Sequence, residues 1–262
     1  MIRLFDSHAH LGAKEFALDY DKVVAQSLAA GVMHIANCSD SLESFTPTLD
    51  IKAKYPNVCL SCLGIHPEFV GMGPKYIDRA IKEMVKNIDK IDAIGEVGLD
   101  YHYTQSLRQR AEERDLFTKM CELAKKYSKP LIVHSRDADE DTFAILKKSG
   151  VEKVDLHCYS GNTALAKEYL ASGMDVRFGV GGIITFKTGT KSREVASQLP
   201  LDRIMLETDS PSLAPNPLRG TRNEPKNLIY IVKVLSDLRF EDLDKVASQT
   251  YDSAERFYGI GD

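Results

Sequence analysis

The 262-residue chain is long enough for a complete α/β barrel, and its 43% hydrophobic and 27% charged residues exclude a disordered chain. The net charge of −4 argues against a protein that coats duplex DNA through a basic surface, but it leaves open an enzyme that meets nucleic acid through bound cations. Five scattered cysteines, no N-terminal signal sequence and no apolar run of about 18 residues predict a cytoplasmic protein without a membrane segment.

Short apolar runs rich in β-branched residues alternate along the chain with patterns of helical periodicity. In chain order, we predict strands at residues 4–7, 33–37, 59–63, 93–96, 131–133, 154–156, 175–178 and 204–206. Helical patterns between them cover residues 21–30, 75–89, 107–127, 139–148 and 163–171. Two further helices are expected within residues 223–258, where they would pack after the last strand.

This alternation predicts the fold class. Strands separated by helices are typical of parallel βαβ units, and a mean repeat of about 33 residues is the size of one such unit. No G-x-G-x-x-G segment opens the first helix, which argues against an open, doubly wound sheet. We therefore predict an α/β protein in which residues 1–262 form a single (β/α)8 TIM-barrel domain.

Titratable residues cluster where the predicted strands end. Five of the seven histidines lie at or just after the C-terminal end of a strand, which is the rim where barrels of this kind build their active sites. These five are His8, His10, His66, His134 and His157. The carboxylates Glu96, Asp100 and Asp209 occupy similar positions. So many polar groups converging from different strands indicate a functional site rather than packing.

The pattern around the histidines predicts metal binding. His8 and His10 share one face of an extended segment, so they can approach one cation together. Apolar runs lead directly to His134 and His157, where an unpaired buried imidazole would be costly without a cation. Asp209 follows the last strand in the same way.

The number of candidate ligands predicts two divalent ions rather than one. Four histidines and two carboxylates exceed what a single tetrahedral ion needs, and Glu96 is the natural bridge between two ions. An internal salt bridge from Glu96 to Arg136 is the alternative. Mg²⁺, Mn²⁺ and Zn²⁺ all remain open as the bound metal. The predicted ligands are His8, His10, Glu96, His134, His157 and Asp209.

Seven ordered motifs together resemble the TatD family of metal-dependent deoxyribonucleases, within the amidohydrolase-like superfamily. The motifs lie at residues 6–10 (DSHAH), 64–67 (GIHP), 95–100 (GEVGLD), 134–137 (HSRD), 157–161 (HCYSG), 207–211 (ETDSP) and 222–225 (RNEP). The resemblance extends over essentially the whole chain. This sequence differs from the family pattern at Tyr159, where many members carry phenylalanine.

The resemblance implies a TIM barrel with two divalent ions and a division of the ligands between them. One ion would be held by His8, His10, Glu96 and Asp209, and the other by Glu96, His134 and His157. Members of the family are described as DNases, several of them 3′→5′ exonucleases supported by magnesium. His66 would contact a phosphate or the attacking water, with a hydrogen-bonded loop histidine as the alternative.

Further roles follow from residue type and position. Asp209 is expected to orient the attacking water or take its proton, so that Asp209, Glu96 and His66 form the predicted catalytic set. Arg136 and Arg222 could clamp phosphate oxygens, or instead orient Glu96 and Glu224. Ser160 precedes a helix whose backbone N–H groups could meet a phosphate. Tyr101 and His102 are candidates for a wall on which bases stack.

The leading hypothesis is a two-metal phosphodiesterase acting on single-stranded or frayed DNA ends, with DNA as a transient partner and no obligatory protein partner. The first alternative is a hydrolase of a small amide or ester, or of misacylated tRNA, that uses the same barrel. The second is a metal-binding module without catalysis. The presence of all six ligands argues against the second alternative, because a degenerate barrel would have lost some of them.

Overall fold

The computed structural model describes residues 2–104 and 106–260 of the chain. Parallel strands form one eight-stranded sheet in sequence order, each hydrogen-bonded to the next. The strands are β1 (Leu4–Ala9), β2 (Val32–Cys38), β3 (Cys59–Leu63), β4 (Ala93–Asp100), β5 (Leu131–Arg136), β6 (Lys153–Leu156), β7 (Asp175–Val180) and β8 (Ile204–Leu206). The helices are α1 (Tyr20–Ala29), α2 (Leu42–Lys54), α3 (Pro74–Lys86), α4 (Leu107–Lys126), α5 (Asp139–Ser149), α6 (Thr163–Ala171), α7 (Thr190–Gln198), α8 (Leu228–Arg239) and α9 (Leu243–Tyr258).

The last strand returns to the first. Ala9 of β1 pairs in parallel with Ser210, just beyond β8. Backbone hydrogen bonds from His10 N to Ser210 O, at 2.7 Å, and from Asp209 N to His8 O, at 2.9 Å, continue this pairing. The sheet therefore closes into a barrel with helices between its strands, and the predicted (β/α)8 fold is confirmed.

Strands β4 and β5 run farther than their apolar cores. The prediction ends them at Glu96 and at residue 133, whereas they continue to Asp100 and Arg136. The two strands stay paired to their ends, where Gly98 lies opposite His134 and Asp100 lies opposite Arg136. The end of β5 is polar and carries no hydrophobic signal, whereas the end of β4 alternates the buried Val97 and Leu99 with Gly98 and Asp100 and continues as a strand by pairing with β5.

Helices α2 and α7 are not located individually by the sequence pattern. α2 contains Pro47, which lacks the N–H that a helix interior uses, although Ser41 and Ser44 cap its first turn reciprocally. α7 buries only Val195 and Ala196, so its apolar stripe is too short to show helical periodicity. Within the described ranges, none of the helices has the length and apolar character that crossing a membrane requires.

Helix α9 closes the end of the barrel at which the strands begin. Phe5, near the start of β1, stacks on Tyr258 with ring centroids 5.3 Å apart. The Tyr258 hydroxyl donates to the carbonyl oxygen of Ser7 at 2.9 Å, and Phe257 is buried beside it. Because side chains fill this end, the opposite rim, where the strands end, is left for a ligand.

Candidate metal centre

Four side chains from β1, β4 and the turn after β8 face one another at the open rim. Nε2 of His8 and Nε2 of His10 are 3.1 Å apart, and each lies 3.4 Å from Oε2 of Glu96. Oδ1 of Asp209 is 3.4 Å from Nε2 of His10 and 3.8 Å from Nε2 of His8. Two ligands bound about 2.1 Å from a tetrahedral ion are about 3.4 Å apart, so these spacings fit a ligand shell.

A second group lies on the other side of Glu96. Nδ1 of His134 and Nε2 of His157 are each 2.9 Å from Oε1 of Glu96 and 3.4 Å from each other. Glu96 thus presents one carboxylate oxygen to each group, and its side chain is almost fully buried. Arg136 is not its partner, so the alternative salt bridge is not formed. The structure brings all six predicted ligands together around this one carboxylate.

A close approach of β4 to β5 positions the second group. Gly98 lies opposite His134 in the parallel ladder and has a φ of +146°. A Cβ atom on residue 98 would lie 1.9 Å from the carbonyl oxygen of His134, so only glycine fits there. This glycine lets the His134 strand come close enough for its imidazole to reach Glu96.

The outward-facing nitrogens of two ligands have partners of their own. Nδ1 of His10 lies 3.0 Å from the carbonyl oxygen of Cys38, and Nε2 of His134 lies 3.1 Å from Oδ2 of Asp100. Such acceptors hold the proton on the outer nitrogen and leave the inner nitrogen free to bind a cation. The sequence places Asp100 at a strand end, but its contact with His134 depends on the register between β4 and β5.

Glu207 is a buried carboxylate that the sequence analysis leaves without a role. Its Oε1 accepts a hydrogen bond of 2.7 Å from the backbone N–H of Cys158 and lies 3.7 Å from Nδ1 of His157. It faces the outer nitrogen of His157 as Asp100 faces that of His134. The spacing of two between Glu207 and Asp209 is the signal that could have found it, since residues two apart in an extended segment share a face.

The two ligand groups hold opposite charges close together. Burial alone would raise the pKa of Glu96, but His157 and His8 hold that pKa well below its usual range. Burial alone would lower the pKa of His10, yet the carboxylates of Asp209 and Glu96 raise it to about 9. Without a cation, the site therefore pairs its carboxylates with a protonated His10, and a cation must displace that proton to bind there.

This exchange predicts a pH-dependent metal affinity. His10, with a pKa of about 9, is protonated at neutral pH and must lose its proton to bind metal. The apparent affinity for Mn²⁺ should therefore rise with pH up to about 9, by roughly tenfold per pH unit for each proton displaced. Isothermal titration calorimetry at several pH values, in buffers of different ionisation enthalpy, measures both the affinity and the protons released. An affinity that is the same at pH 6.5 and pH 8 would contradict this prediction.

A cavity of about 660 Å³ opens over both ligand groups. Three of the four predicted substrate contacts line it: His66, Arg136 and Ser160. Nε2 of His66 is 3.8 Å from Oε1 of Glu96, and its ring packs edge-on against that of His134 with centroids 4.5 Å apart. His66, Glu96 and His134 have ligand atoms close enough together to share an ion. His66 can thus reach a cation as well as a substrate.

Arg222, the fourth predicted substrate contact, is turned away from the described lining of this cavity. Its guanidinium donates to both carboxylate oxygens of Asp19, at 2.9 and 2.7 Å, and to Oε1 of Glu224 at 3.0 Å. It also lies over the ring of Phe16. This geometry agrees with the alternative in which Arg222 orients Glu224, and a phosphate contact at Arg222 stays a prediction.

Comparisons with known proteins agree with one another over nearly the whole chain. A model of the family described as TatD related DNase matches residues 5–259. The uncharacterized metal-dependent hydrolase YabD of Bacillus subtilis is 35% identical over 98% of this chain and 99% of its own length. The deoxyribonuclease TATDN3 of Homo sapiens is 32% identical over 98% of this chain and 95% of its own length.

Solved structures give the same result. The crystal structure of YjjV, a TatD homolog from Escherichia coli K12, superposes with a TM-score of 0.90 at 27% identity and covers 99% of both chains. A hydrolase of the TatD family from Entamoeba histolytica superposes with a TM-score of 0.87 at 24% identity, which supports the fold alone.

Proposed function

The chain belongs to the family of TatD-related DNases, and on this premise we propose that it hydrolyses phosphodiester bonds at single-stranded or frayed DNA ends with 3′→5′ polarity. The observation that carries the proposal is the pair of facing ligand groups that share Glu96. Such a pair suits two divalent cations a few ångströms apart, the arrangement that many phosphodiesterases use for in-line displacement at phosphorus.

Under this proposal, each cation has its own ligand set. His8, His10, Glu96 and Asp209 would hold one, and Glu96, His134 and His157 the other. The mixture of imidazole and carboxylate suits Zn²⁺ or Mn²⁺, and Mg²⁺ where weaker binding suffices. When bound, these ions would lower the pKa of a coordinated water and stabilise the negative charge that develops on the phosphate.

The protein's own groups would orient the reacting parts. Oδ1 of Asp209 lines the cavity beside His10 and would orient the attacking water and take its proton. His66, Arg136 and Ser160 border the same cavity from other strand ends, where they would donate hydrogen bonds to the non-bridging phosphate oxygens. Asp100 would keep His134 in the orientation that binds metal.

The charge of the cavity supports a dependence on metal. Carboxylates outside the ligand set also line it: Glu15, Asp40 and Glu68. A polyanion such as DNA would be repelled from a mouth of this kind unless bound cations reversed the local field. Substrate binding, and not only the chemical step, should therefore require the cations. The five cysteines, all free, support the further proposal that the enzyme works in the cytoplasm.

A nuclease assay tests the proposal. The protein is loaded with Mn²⁺ and incubated with single-stranded DNA labelled at the 5′ or the 3′ end, which also gives the polarity of digestion. His134→Ala should lower the rate by about 100-fold or more, because it removes a ligand. His34→Ala should leave the rate unchanged, because His34 is a half-buried histidine of β2 that packs near Phe5 and belongs to neither ligand group. Cleavage of p-nitrophenyl esters without cleavage of DNA would instead favour the esterase alternative.

A further inference from the structure

Tyr103 is an exposed aromatic residue at the mouth of the cavity. In the described part of the chain, six large hydrophobic or aromatic residues are exposed, and Tyr103, at 72%, is the one among them that lines the cavity over the ligand groups. It lies in the turn between β4 and α4. An aromatic ring left open to solvent beside a binding cavity presents a large flat surface that a ligand can cover.

The turn that carries the ring is connected to the candidate metal centre through Asp100. Oδ1 of Asp100 accepts hydrogen bonds from the backbone N–H groups of His102, at 3.0 Å, and Tyr103, at 3.2 Å. The other oxygen of the same carboxylate contacts Nε2 of His134. One side chain thus connects a proposed metal ligand to the backbone of the turn that carries Tyr103.

The guanidinium group of Arg136 lies beside the Tyr103 ring. The guanidinium carbon of Arg136 lies 5.0 Å from the centroid of the Tyr103 ring, and Arg136 makes no ion pair within the described ranges. Its N–H groups are therefore available to a phosphate while its plane supports the aromatic ring. Single-stranded nucleic acids are recognised by this combination of an aromatic surface for bases and a cation for the backbone.

From this placement we propose that Tyr103, supported by Arg136, is the platform on which the 3′-terminal nucleobase of a DNA substrate stacks. This platform rests on the proposed nuclease function, because it names the part of the DNA substrate that the same site binds. It also differs from the sequence-based stacking wall of Tyr101 and His102, since the platform is the neighbouring Tyr103. The Tyr101 hydroxyl donates to Asp141 at 2.5 Å and accepts from Arg114 at 3.0 Å, so that ring faces α4 and α5 and not the cavity.

Steady-state kinetics with two substrates tests the platform. One is a single-stranded oligonucleotide, and the other is the same strand with abasic residues at its last two 3′ positions. Tyr103→Ala should raise KM for the first substrate by about tenfold and leave kcat nearly unchanged, since a stacked base contributes to binding. It should hardly change KM for the abasic strand. Tyr103→Phe keeps the ring and should resemble the wild type on both substrates.

Phe240→Ala is the matched control. Phe240 is also an exposed aromatic residue, at 98%, but it follows α8, next to Arg239, whose guanidinium donates to carbonyl oxygens at the end of α7. This places it at the end of the barrel opposite the site, so its loss should change neither KM. Equal effects of Tyr103→Ala on both substrates, or no effect on either, would overturn the platform.

A binding measurement separates this proposal from the nuclease activity. The chain contains no tryptophan, so Tyr103→Trp introduces a single tryptophan, which can be excited selectively, at the proposed platform. In the Mn²⁺-loaded protein, a thymidine oligonucleotide should quench its fluorescence, and an abasic strand of equal length should not. Quenching without cleavage would support the stacking platform and contradict the nuclease activity. Cleavage without selective quenching would support the nuclease activity and contradict the platform.

Discussion

Glu96→Gln is expected to lower metal-dependent DNA cleavage by at least about 100-fold, as large a loss as we predict for His134→Ala. The two oxygens of Glu96 serve separate groups, Oε2 facing His8 and His10 and Oε1 facing His134 and His157. Glutamine has nearly the same shape, but one of its two positions is an NH₂ group that can only donate. It could therefore ligate on one side at most, and it removes the negative charge that the two proposed cations would share.

Metal content provides the independent measurement. After equilibrium dialysis against Mn²⁺, elemental analysis should find about two ions per wild-type chain and about one or fewer per Glu96→Gln chain. Glu68→Gln is the matched control, because Glu68 lines the same cavity with a largely exposed side chain and belongs to neither ligand group. It should retain its ions and most of its activity. Full metal content and full activity in Glu96→Gln would show that Glu96 is not a bridge.

Gly98→Ala is expected to destabilise the barrel by about 3 kcal/mol or more and to impair metal binding at the same time. Its new methyl group would lie 1.9 Å from the carbonyl oxygen of His134 and 2.8 Å from its carbonyl carbon. Both are backbone atoms, so no rotamer change relieves the clash. β4 and β5 must separate, and that movement carries His134 away from Glu96. Urea denaturation and Mn²⁺ titration of the same preparation measure the two effects.

Gly173→Ala separates this clash from the general cost of a positive φ. Gly173 has a φ of +87°, and a Cβ atom there would meet no atom within 4 Å. Its substitution should cost only about 1 kcal/mol and leave metal affinity unchanged. Equal losses of stability in Gly98→Ala and Gly173→Ala, with unchanged metal binding in both, would mean that the approach of β4 to β5 does not position the site.

The sequence predicts the barrel well because its strands have local signals. Each predicted strand overlaps an observed one, and the runs 59–63 and 204–206 coincide with β3 and β8. The last residues of β4 and β5 are missed because their local signals are weak: the end of β5 is polar, and Gly98 interrupts the end of β4. Hydrogen bonds to the neighbouring strand define those ends, and the partner residue lies more than thirty positions away along the chain.

For the candidate site too, neighbouring residues predict some features, and contacts between distant segments determine others. Which residue types stand at the strand ends can be read along the chain, and all six predicted ligands do meet in the fold. The direction of a long side chain cannot be read in this way. Arg222 turns to Asp19, some two hundred residues away, and Tyr101 turns to Asp141, forty residues away. Both leave the cavity because those partners satisfy their polar groups.

The amino-acid pattern predicts a (β/α)8 barrel with histidines and carboxylates at one rim, and a bridging position for Glu96, because hydrophobic periodicity and the residue types that follow each apolar run are properties of neighbouring residues. The fold adds which oxygen of Glu96 faces which ligand group and that Tyr103, not Tyr101, lines the cavity. Those outcomes depend on strand register and on the partners that distant segments bring within hydrogen-bonding distance, and neither is encoded at the positions themselves.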